Sequence, residues 1–238
     1  MYLVQSEAGG EPTSVPATAI AYPDLAGATY VQRNGFAEKG VLAWVYDTFL
    51  QPDKAFLDIG AHVGTYSWTC AAKATHVYAF ECGPRTFCHL AANIAIRGLE
   101  YKITPFPFAL GDKDGEATYY VRSGEGGDNG IKALSGADEG CQKVTVPVRR
   151  LDTFGLKNIG FVKMDVEGFE REVLEGAAET LRGSGWPKIL FESWGAHRDP
   201  AVPVAELREG VFDALRGLGY TWVPVGGVAD MFIAERPL

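Results

Sequence analysis

The fold class follows from one stretch of sequence, Phe56-Leu57-Asp58-Ile59-Gly60-Ala61-His62-Val63-Gly64. It contains, in order, a short apolar run, an acidic residue, a glycine-rich turn and the start of a helical pattern. Glycines at such a turn let the backbone approach a ligand closely, and the helix that follows offers free N–H groups. The stretch therefore predicts a buried strand that ends at a ligand site. The competing interpretation is a tight strand-to-helix turn that holds no ligand.

The spacing of the glycines limits which ligand the turn can hold. A dinucleotide site has the pattern Gly-x-Gly-x-x-Gly, and His62 occupies the position of its middle glycine. The pattern Asp-x-Gly-x-x-x-Gly instead favours a nucleoside with an amino-acid tail and no pyrophosphate. Asp58 would repel a pyrophosphate, whereas it could accept a hydrogen bond from an ammonium group. Glu81 ends the next apolar run and could accept both hydroxyls of a ribose.

Outward from this stretch, strand and helix patterns alternate along the chain. Apolar runs predict strands at residues 55–59, 76–80, 103–110, 160–164 and 188–191. Helical spacing predicts helices at residues 36–50, 65–73, 85–97, 169–181 and 204–218. This alternation favours an α/β fold with a mostly parallel sheet and helices on both faces. Gly226-Gly227 joins two further predicted strands, 220–225 and 230–234, as an antiparallel hairpin at the sheet edge.

The remaining segments define the domain organisation. Residues 1–30 are rich in Gly, Pro, Ala, Ser and Thr and are predicted to be an N-terminal lead-in, followed by a single domain at 31–238. Two extra strands, 117–122 and 143–148, flank a Gly-, Asp- and Glu-rich loop at 123–142. A loop of this length within a compact domain is usually functional or disordered.

Two further motifs carry candidate site residues. Ala109 and Leu110 could flank an adenine ring with Asp112 near its amine, or residues 111–115 could simply form a turn. In the segment 163–170, Lys163 and Asp165 alternate along a strand and could project to one face. Asp165 lies at the carboxyl end of that strand, where sites form in parallel sheets. Glu167 and Glu170 begin the next helix, where carboxylates also suit the helix dipole.

These motifs together resemble those of the FkbM methyltransferase family, and the stretch Lys-x-Asp-x-Glu-Gly-x-Glu is their most distinctive part. The resemblance implies a class I methyltransferase Rossmann-like fold with a seven-stranded sheet, and S-adenosyl-L-methionine as the methyl donor. It also implies O-methylation of a hydroxyl on a sugar, glycan or natural product. The residues expected at the donor are Asp58, Gly60, Ala61, His62, Gly64, Glu81, Cys82, Ala109, Leu110 and Asp165. His62 and Cys82 depart from the family, whose members often have Asn and Pro there.

Several routes could activate the acceptor hydroxyl. Asp165 is the first candidate for a general base and His197 the second, with Lys163 and Glu167 as further catalytic candidates. The sequence identifies no metal site outright, but Asp165, Glu167 and Glu192 could offer oxygen ligands to Mg²⁺. The loop 123–142 is predicted to cover the acceptor. Other functions left open are N-methylation of a peptide or amine, an NAD-dependent oxidoreductase and a non-catalytic nucleoside-binding protein.

Composition limits the partners. The formal net charge is −8 and the sequence pI is about 5.1, which disfavours nucleic acids and anionic membrane surfaces as partners. The four cysteines form no Cys-x-x-Cys pair, and no basic region followed by an apolar core indicates a secretory signal. A cytoplasmic protein is therefore expected, and the family resemblance implies a small-molecule, sugar or natural-product acceptor. The oligomeric state is not predicted.

Overall fold

The chain folds into alternating strands and helices, and the computed structural model describes residues 2–5, 19–22, 25–36, 38–122, 129–132, 138, 140–195 and 203–237. The described strands are β1 (Tyr2–Gln5), β2 (Ala19–Tyr22), β3 (Ala55–Ile59), β4 (Val77–Phe80), β5 (Ile103–Phe106), β6 (Ala109–Leu110), β7 (Gly115–Val121), β8 (Gln142–Arg149), β9 (Ile159–Met164), β10 (Lys188–Glu192), β11 (Thr221–Pro224) and β12 (Met231–Glu235). The described α-helices are α1 (Leu25–Asn34), α2 (Lys39–Thr48), α3 (Thr65–Ala71), α4 (Pro84–Ile96), α5 (Glu170–Glu175), α6 (Ala178–Gly183) and α7 (Val204–Gly217). None of these described helices is both long enough and apolar enough to cross a bilayer.

Seven of the described strands form the central sheet, in the order β11-β12-β10-β9-β3-β4-β5. The strands β10, β9, β3, β4 and β5 run parallel to one another. The strand β12 is antiparallel to β10, and β11 is antiparallel to β12. The predicted sheet, mostly parallel with a C-terminal antiparallel hairpin at its edge, is therefore confirmed.

Successive residues of the central strands face opposite sides of the sheet and belong to two separate cores. On β3, Phe56 packs in the core formed with α2, α3 and α4, and Leu57 packs in the core formed with α5, α6 and α7. On β9, Phe161 and Val162 divide between the same two cores. Because both faces are covered, the strands are largely apolar, with Asp58 and Lys163 as buried exceptions, which explains why short apolar runs predicted most of them.

The strand predicted at residues 103–110 is two strands that belong to different sheets. β5 ends at Phe106, and Pro107 and Phe108 separate it from β6. The chain then forms β6, in which Leu110 pairs with Arg149 of β8. β6, β8 and β7 make a separate sheet among the described strands, in that order. This sheet supplies one wall of the site described below.

The helix predicted at residues 169–181 is also divided, into α5 and α6. Gly176 separates them and lies against the chain after β6, because a Cβ at this position would come within 1.9 Å of the Gly111 carbonyl oxygen. Asp152 then caps α6, since its Oδ1 accepts a hydrogen bond of 2.8 Å from the backbone N–H of Thr180. Tertiary contacts, which periodicity does not reveal, cause this break.

The described parts of the predicted lead-in have regular structure. β1 pairs with β2 in an antiparallel ribbon, and the predicted boundary at residue 30 falls inside α1. Much of the predicted loop 123–142 lies outside the described residues. Within its described part, Gly130 and Tyr120 exchange two backbone hydrogen bonds of 2.9 and 3.3 Å, so this part folds back on β7.

Candidate active site

A cavity of about 350 Å³ opens where β3, β4, β9 and β10 end. Small-molecule sites commonly enclose ~300–1,000 Å³, and the carboxyl edge of a parallel sheet is where such sites form. The predicted site residues that line the cavity are Gly60, His62, Glu81, Cys82, Ala109, Leu110, Lys163, Asp165, Glu167 and Glu192. The structure therefore brings most of the predicted residues together.

Gly60 is required by a close approach between the loops after β3 and β9. Its φ is +74°, and a Cβ there would lie 1.7 Å from the carbonyl oxygen of Asp165. The Asp165 N–H donates a hydrogen bond of 3.0 Å to the Ile59 carbonyl, which fixes the two loops side by side. A residue with a side chain fits neither this space nor this backbone conformation.

Lys163, near the end of β9, also links the loops after β3 and β9. Its Nζ donates hydrogen bonds to the Gly60 carbonyl oxygen at 2.9 Å and to Asp165 Oδ2 at 3.3 Å. Burial alone would lower the pKa of Lys163, but the carboxylates of Asp165, Asp58 and Glu38 outweigh this effect and raise it. Lys163 is therefore a buried ammonium that orients Asp165 and the glycine-rich loop.

Glu81 connects the glycine-rich loop to the chain after β4. Its Oε2 accepts a hydrogen bond of 2.9 Å from the His62 N–H, and its Oε1 accepts one of 2.7 Å from the Gly83 N–H. Burial raises the pKa of this carboxyl to about 7, although the two backbone N–H groups oppose the shift. The carboxyl borders the cavity, where it can meet ligand hydroxyls.

The wall beside Glu81 is apolar. It contains Phe80, Phe108, Ala109 and Leu110. Burial, together with the Glu81 charge, raises the pKa of the Cys82 thiol, so this cavity-lining thiol is neutral. Asp112 is exposed and does not border the cavity. Of the two interpretations that the sequence left open for Asp112, the turn agrees with this position.

Three residues predicted at the donor lie behind the cavity wall. Asp58 is fully buried, and its Oδ2 accepts a hydrogen bond of 2.5 Å from the Ser67 hydroxyl. Its Oδ1 has no hydrogen-bond partner among the described residues, and burial raises the pKa of the carboxyl. Ala61 and Gly64 shape the turn, and a Cβ on Gly64 would come within 2.7 Å of the Leu90 side chain.

The side of the cavity formed by the chain after β9 and the end of β10 is acidic. Asp165, Glu167 and Glu192 each place a carboxylate oxygen within 4.8 Å of the others. Trp194 Nε1 donates a hydrogen bond of 3.1 Å to Glu167 Oε2. Glu167 has a φ of +54°, a left-handed conformation that is unusual for a residue other than glycine. These oxygens are of the kind that a hard cation prefers, and they could equally accept a proton.

The other candidates in this region differ in position. Glu170 does not line the cavity, and its Oε1 accepts hydrogen bonds of 3.2 Å from the N–H groups of Val166 and Gly168. It therefore orders the loop after β9, in agreement with the structural interpretation of its helix-start position. His197 lies outside the described residues.

Sequence reasoning placed no site residue before Asp58, yet Tyr22 and Glu38 also line the cavity. Glu38 is the residue directly before α2, and its side chain makes no hydrogen bond that would cap the helix. Tyr119 of β7 and residues 129–131 of the predicted loop complete the lining on another side. No local motif surrounds these residues, because only the tertiary fold brings them to the site.

Known families and curated proteins provide independent comparisons. The family model described as the methyltransferase FkbM domain matches residues 58–220. The hexuronic acid methyltransferase AglP of Haloferax volcanii is 30% identical over 142 residues, which cover 56% of this chain and 53% of that protein. The 2-O-methyltransferase NoeI of Sinorhizobium fredii is 27% identical over 150 residues, covering 55% of this chain and 60% of that protein. The chain thus matches little more than half the length of these relatives.

Solved structures show the same fold at low sequence identity. The methyltransferase FkbM from Methylobacillus flagellatus KT has a TM-score of 0.52 and 15% identity, over 91% of this chain and 56% of that chain. The precorrin-6y C5,15-methyltransferase from Geobacter metallireducens GS-15 has a TM-score of 0.51 and 14% identity, over 85% and 90% of the two chains. The predicted class I methyltransferase fold is confirmed by these likenesses.

Proposed function

Since the chain belongs to the FkbM family of methyltransferases, we propose that it transfers a methyl group from S-adenosylmethionine to a hydroxyl of a sugar or a related natural product. The observation that carries this proposal is the cavity in which Gly60, Glu81 and Asp165 converge at the ends of neighbouring parallel strands. The names of two relatives support the acceptor class, one being a hexuronic acid methyltransferase and the other a 2-O-methyltransferase.

The residues around one half of the cavity fit a nucleoside with an amino-acid tail. Glu81 offers a carboxyl to ribose hydroxyls, and Ala109 and Leu110 offer an apolar wall to a base. Gly60 lets the glycine-rich loop pass directly beside the Asp165 backbone at the edge of the cavity. When bound, S-adenosylmethionine supplies a methyl group activated by the positive charge on its sulfur.

The other half of the cavity supplies the proton chemistry. A sugar hydroxyl is a poor nucleophile until its proton is taken, and Asp165 is the carboxylate proposed to accept that proton. The Lys163 ammonium, 3.3 Å from Asp165 Oδ2, holds this carboxylate in one orientation. Fixed placement of a base and an acceptor lowers the entropic cost of reaching the reactive arrangement. Glu167 and Glu192 contribute acceptors for neighbouring hydroxyls.

An alternative route uses Asp165, Glu167 and Glu192 as ligands of Mg²⁺, as their spacing of at most 4.8 Å would allow. His197 is the alternative base. Activity that survives EDTA favours Asp165 or His197, and activity restored only by added Mg²⁺ favours the metal. The His197→Gln variant then separates the two bases, because it loses turnover only if His197 takes the proton.

The proposal is tested by incubating the protein with methyl-labelled S-adenosylmethionine and a panel of methyl glycosides, natural-product alcohols, peptides and amines. We expect label in a methyl ether on an oxygen of a sugar or a natural-product alcohol, identified by mass spectrometry and NMR. Label found on nitrogen would replace O-methylation by N-methylation. No transfer to any acceptor, despite measurable binding of S-adenosylhomocysteine, would favour a non-catalytic nucleoside-binding protein.

A further inference from the structure

The cavity has a wall that lies outside the segment shared with the family. The family match covers residues 58–220, whereas Tyr22 and Glu38 line the cavity from the N-terminal part of the chain. Residues that surround a site from outside the shared segment are free to differ between relatives without disturbing the common fold. They are therefore the natural place to look for what selects the acceptor.

Tyr22 is held in place by a buried side chain of the central domain. Asn93 of α4, which is fully buried, donates hydrogen bonds to the carbonyl oxygens of Ala21 at 3.0 Å and Val63 at 2.9 Å. Its Oδ1 accepts a hydrogen bond of 2.7 Å from the Ala21 N–H. One amide thus joins β2 to the glycine-rich loop, and the Tyr22 ring meets the His62 ring edge-on with centroids 5.5 Å apart.

Glu38 is held on the side of the cavity formed by β9. Its Oε2 accepts a hydrogen bond of 2.8 Å from the Tyr66 hydroxyl. Its carboxyl interacts electrostatically with Lys163, near the end of β9, and with Asp165, just after β9. Glu38 therefore lies on the same side of the cavity as Asp165, which is the side proposed for the acceptor.

We propose that Tyr22 and Glu38 form an acceptor subsite that binds an uncharged pyranose. An aromatic ring can cover the C–H face of a pyranose, and a carboxylate accepts hydrogen bonds from its hydroxyls. This inference rests on the proposed function and adds to it the class of sugar and the residues that select it.

The charge of the cavity is the reason for an uncharged sugar. Among the described lining residues, Lys163 is the only cation, and it already bonds Gly60 and Asp165. The carboxylates on the acceptor side are Glu38, Asp165, Glu167 and Glu192. A sugar carboxylate placed among them would meet like charges from these described residues. The subsite thus separates a hexose from the corresponding hexuronate.

The first test measures acceptor and donor binding separately in the variants Tyr22→Leu and Glu38→Gln. Each is expected to raise the acceptor KM by ~10-fold, the loss expected for a charged hydrogen bond or a ring contact, while the Kd of S-adenosylhomocysteine stays unchanged. Tyr22→Phe, which keeps the ring, should retain most of the affinity. Tyr30→Leu on α1 and Glu100→Gln, both at exposed positions, are the matched controls.

The second test compares methyl hexopyranosides with the matching hexuronates as acceptors of the wild-type protein. The inference predicts a higher kcat/KM for the uncharged series and a smaller preference in Glu38→Gln. It is overturned if hexuronates are preferred, if both variants keep the wild-type acceptor KM, or if they weaken S-adenosylhomocysteine instead. Failure of the proposed function has a different signature, namely no methyl transfer to any alcohol by the wild type, and this result would remove the subsite as well.

Discussion

Two glutamates, Glu81 after β4 and Glu170 at the start of α5, are held in nearly the same way. Both are buried, both accept two hydrogen bonds from backbone N–H groups, and burial raises the pKa of both carboxyls to about 7. They differ in access, because Glu81 borders the cavity and Glu170 does not. A raised pKa therefore does not by itself identify a functional carboxylate in this fold, whereas contact with the cavity separates the two.

The largest effect is expected at Gly60, where the two loops that these glutamates hydrogen-bond, after β3 and after β9, meet. Gly60→Ala should lower the free energy of unfolding by at least ~3 kcal/mol, because the new Cβ would overlap the Asp165 carbonyl at a positive φ. Urea unfolding measures this loss. Gly98→Ala is the control, since Gly98 also has a positive φ, of +61°, but no atom within 4 Å of a Cβ. Equal losses in both variants would show that the contact between the loops is unimportant.

The next largest effect is expected at Asp165, which borders the cavity and precedes Val166 in the loop that Glu170 hydrogen-bonds. Asp165→Asn should lower kcat by ~10²–10⁴-fold, because the amide cannot accept the proton of the acceptor hydroxyl. Steady-state kinetics with saturating donor provide the measurement. The exposed control Asp112→Asn should keep full activity. An Asp165→Asn enzyme with wild-type kcat would assign the base to another residue.

A smaller effect is expected at Glu170, where a substitution should change only the pH dependence of the free energy of unfolding. Its carboxyl has a pKa of 4.5 as its ordinary value and about 7 in the folded protein, so the folded state binds the proton more tightly. Its contribution to stability is present below the lower pKa and is lost as the pH rises through the upper one, by ~3 kcal/mol in total. Glu170→Gln should remove this loss while keeping an acceptor for the backbone N–H groups.

Unfolding free energies of wild type and Glu170→Gln at pH 5 and pH 8 test this prediction. The free energy of unfolding of Glu170→Gln, relative to that of the wild type, should be higher at pH 8 than at pH 5. Glu206→Gln, at an exposed position of α7, should follow the wild type at both values. A Glu170→Gln variant that also follows the wild type would mean that Glu170 titrates normally.

Local sequence signals predicted the central fold well. The strand at residues 55–59 was predicted with the bounds of β3, because four of its five residues are apolar, as expected of a strand buried on both faces. The glycine pattern after it also placed the start of α3 at Thr65 correctly. In contrast, the division of residues 103–110 between two sheets was missed, since the apolar residues on both sides of Pro107 continue the pattern.

The candidate site was predictable only in part. Glu81 and Asp165 were found because they end predicted strands, and the carboxyl ends of parallel strands converge on one edge of the sheet. Tyr22 and Glu38 were not found, because their positions depend on distant contacts with Asn93 and Tyr66. The roles of the individual residues in donor and acceptor binding stay predictions.

The most direct measurement is isothermal titration of S-adenosylhomocysteine into the wild type, Glu81→Gln and Glu170→Gln. If the cavity is the donor site, the wild type binds and Glu81→Gln loses ~10-fold or more in affinity, the value of a hydrogen bond to a charged group. Glu170→Gln, altered at an equally buried carboxyl, should bind as the wild type does. Wild-type affinity in Glu81→Gln, or an equal loss in both variants, would contradict the assignment of the donor to this cavity.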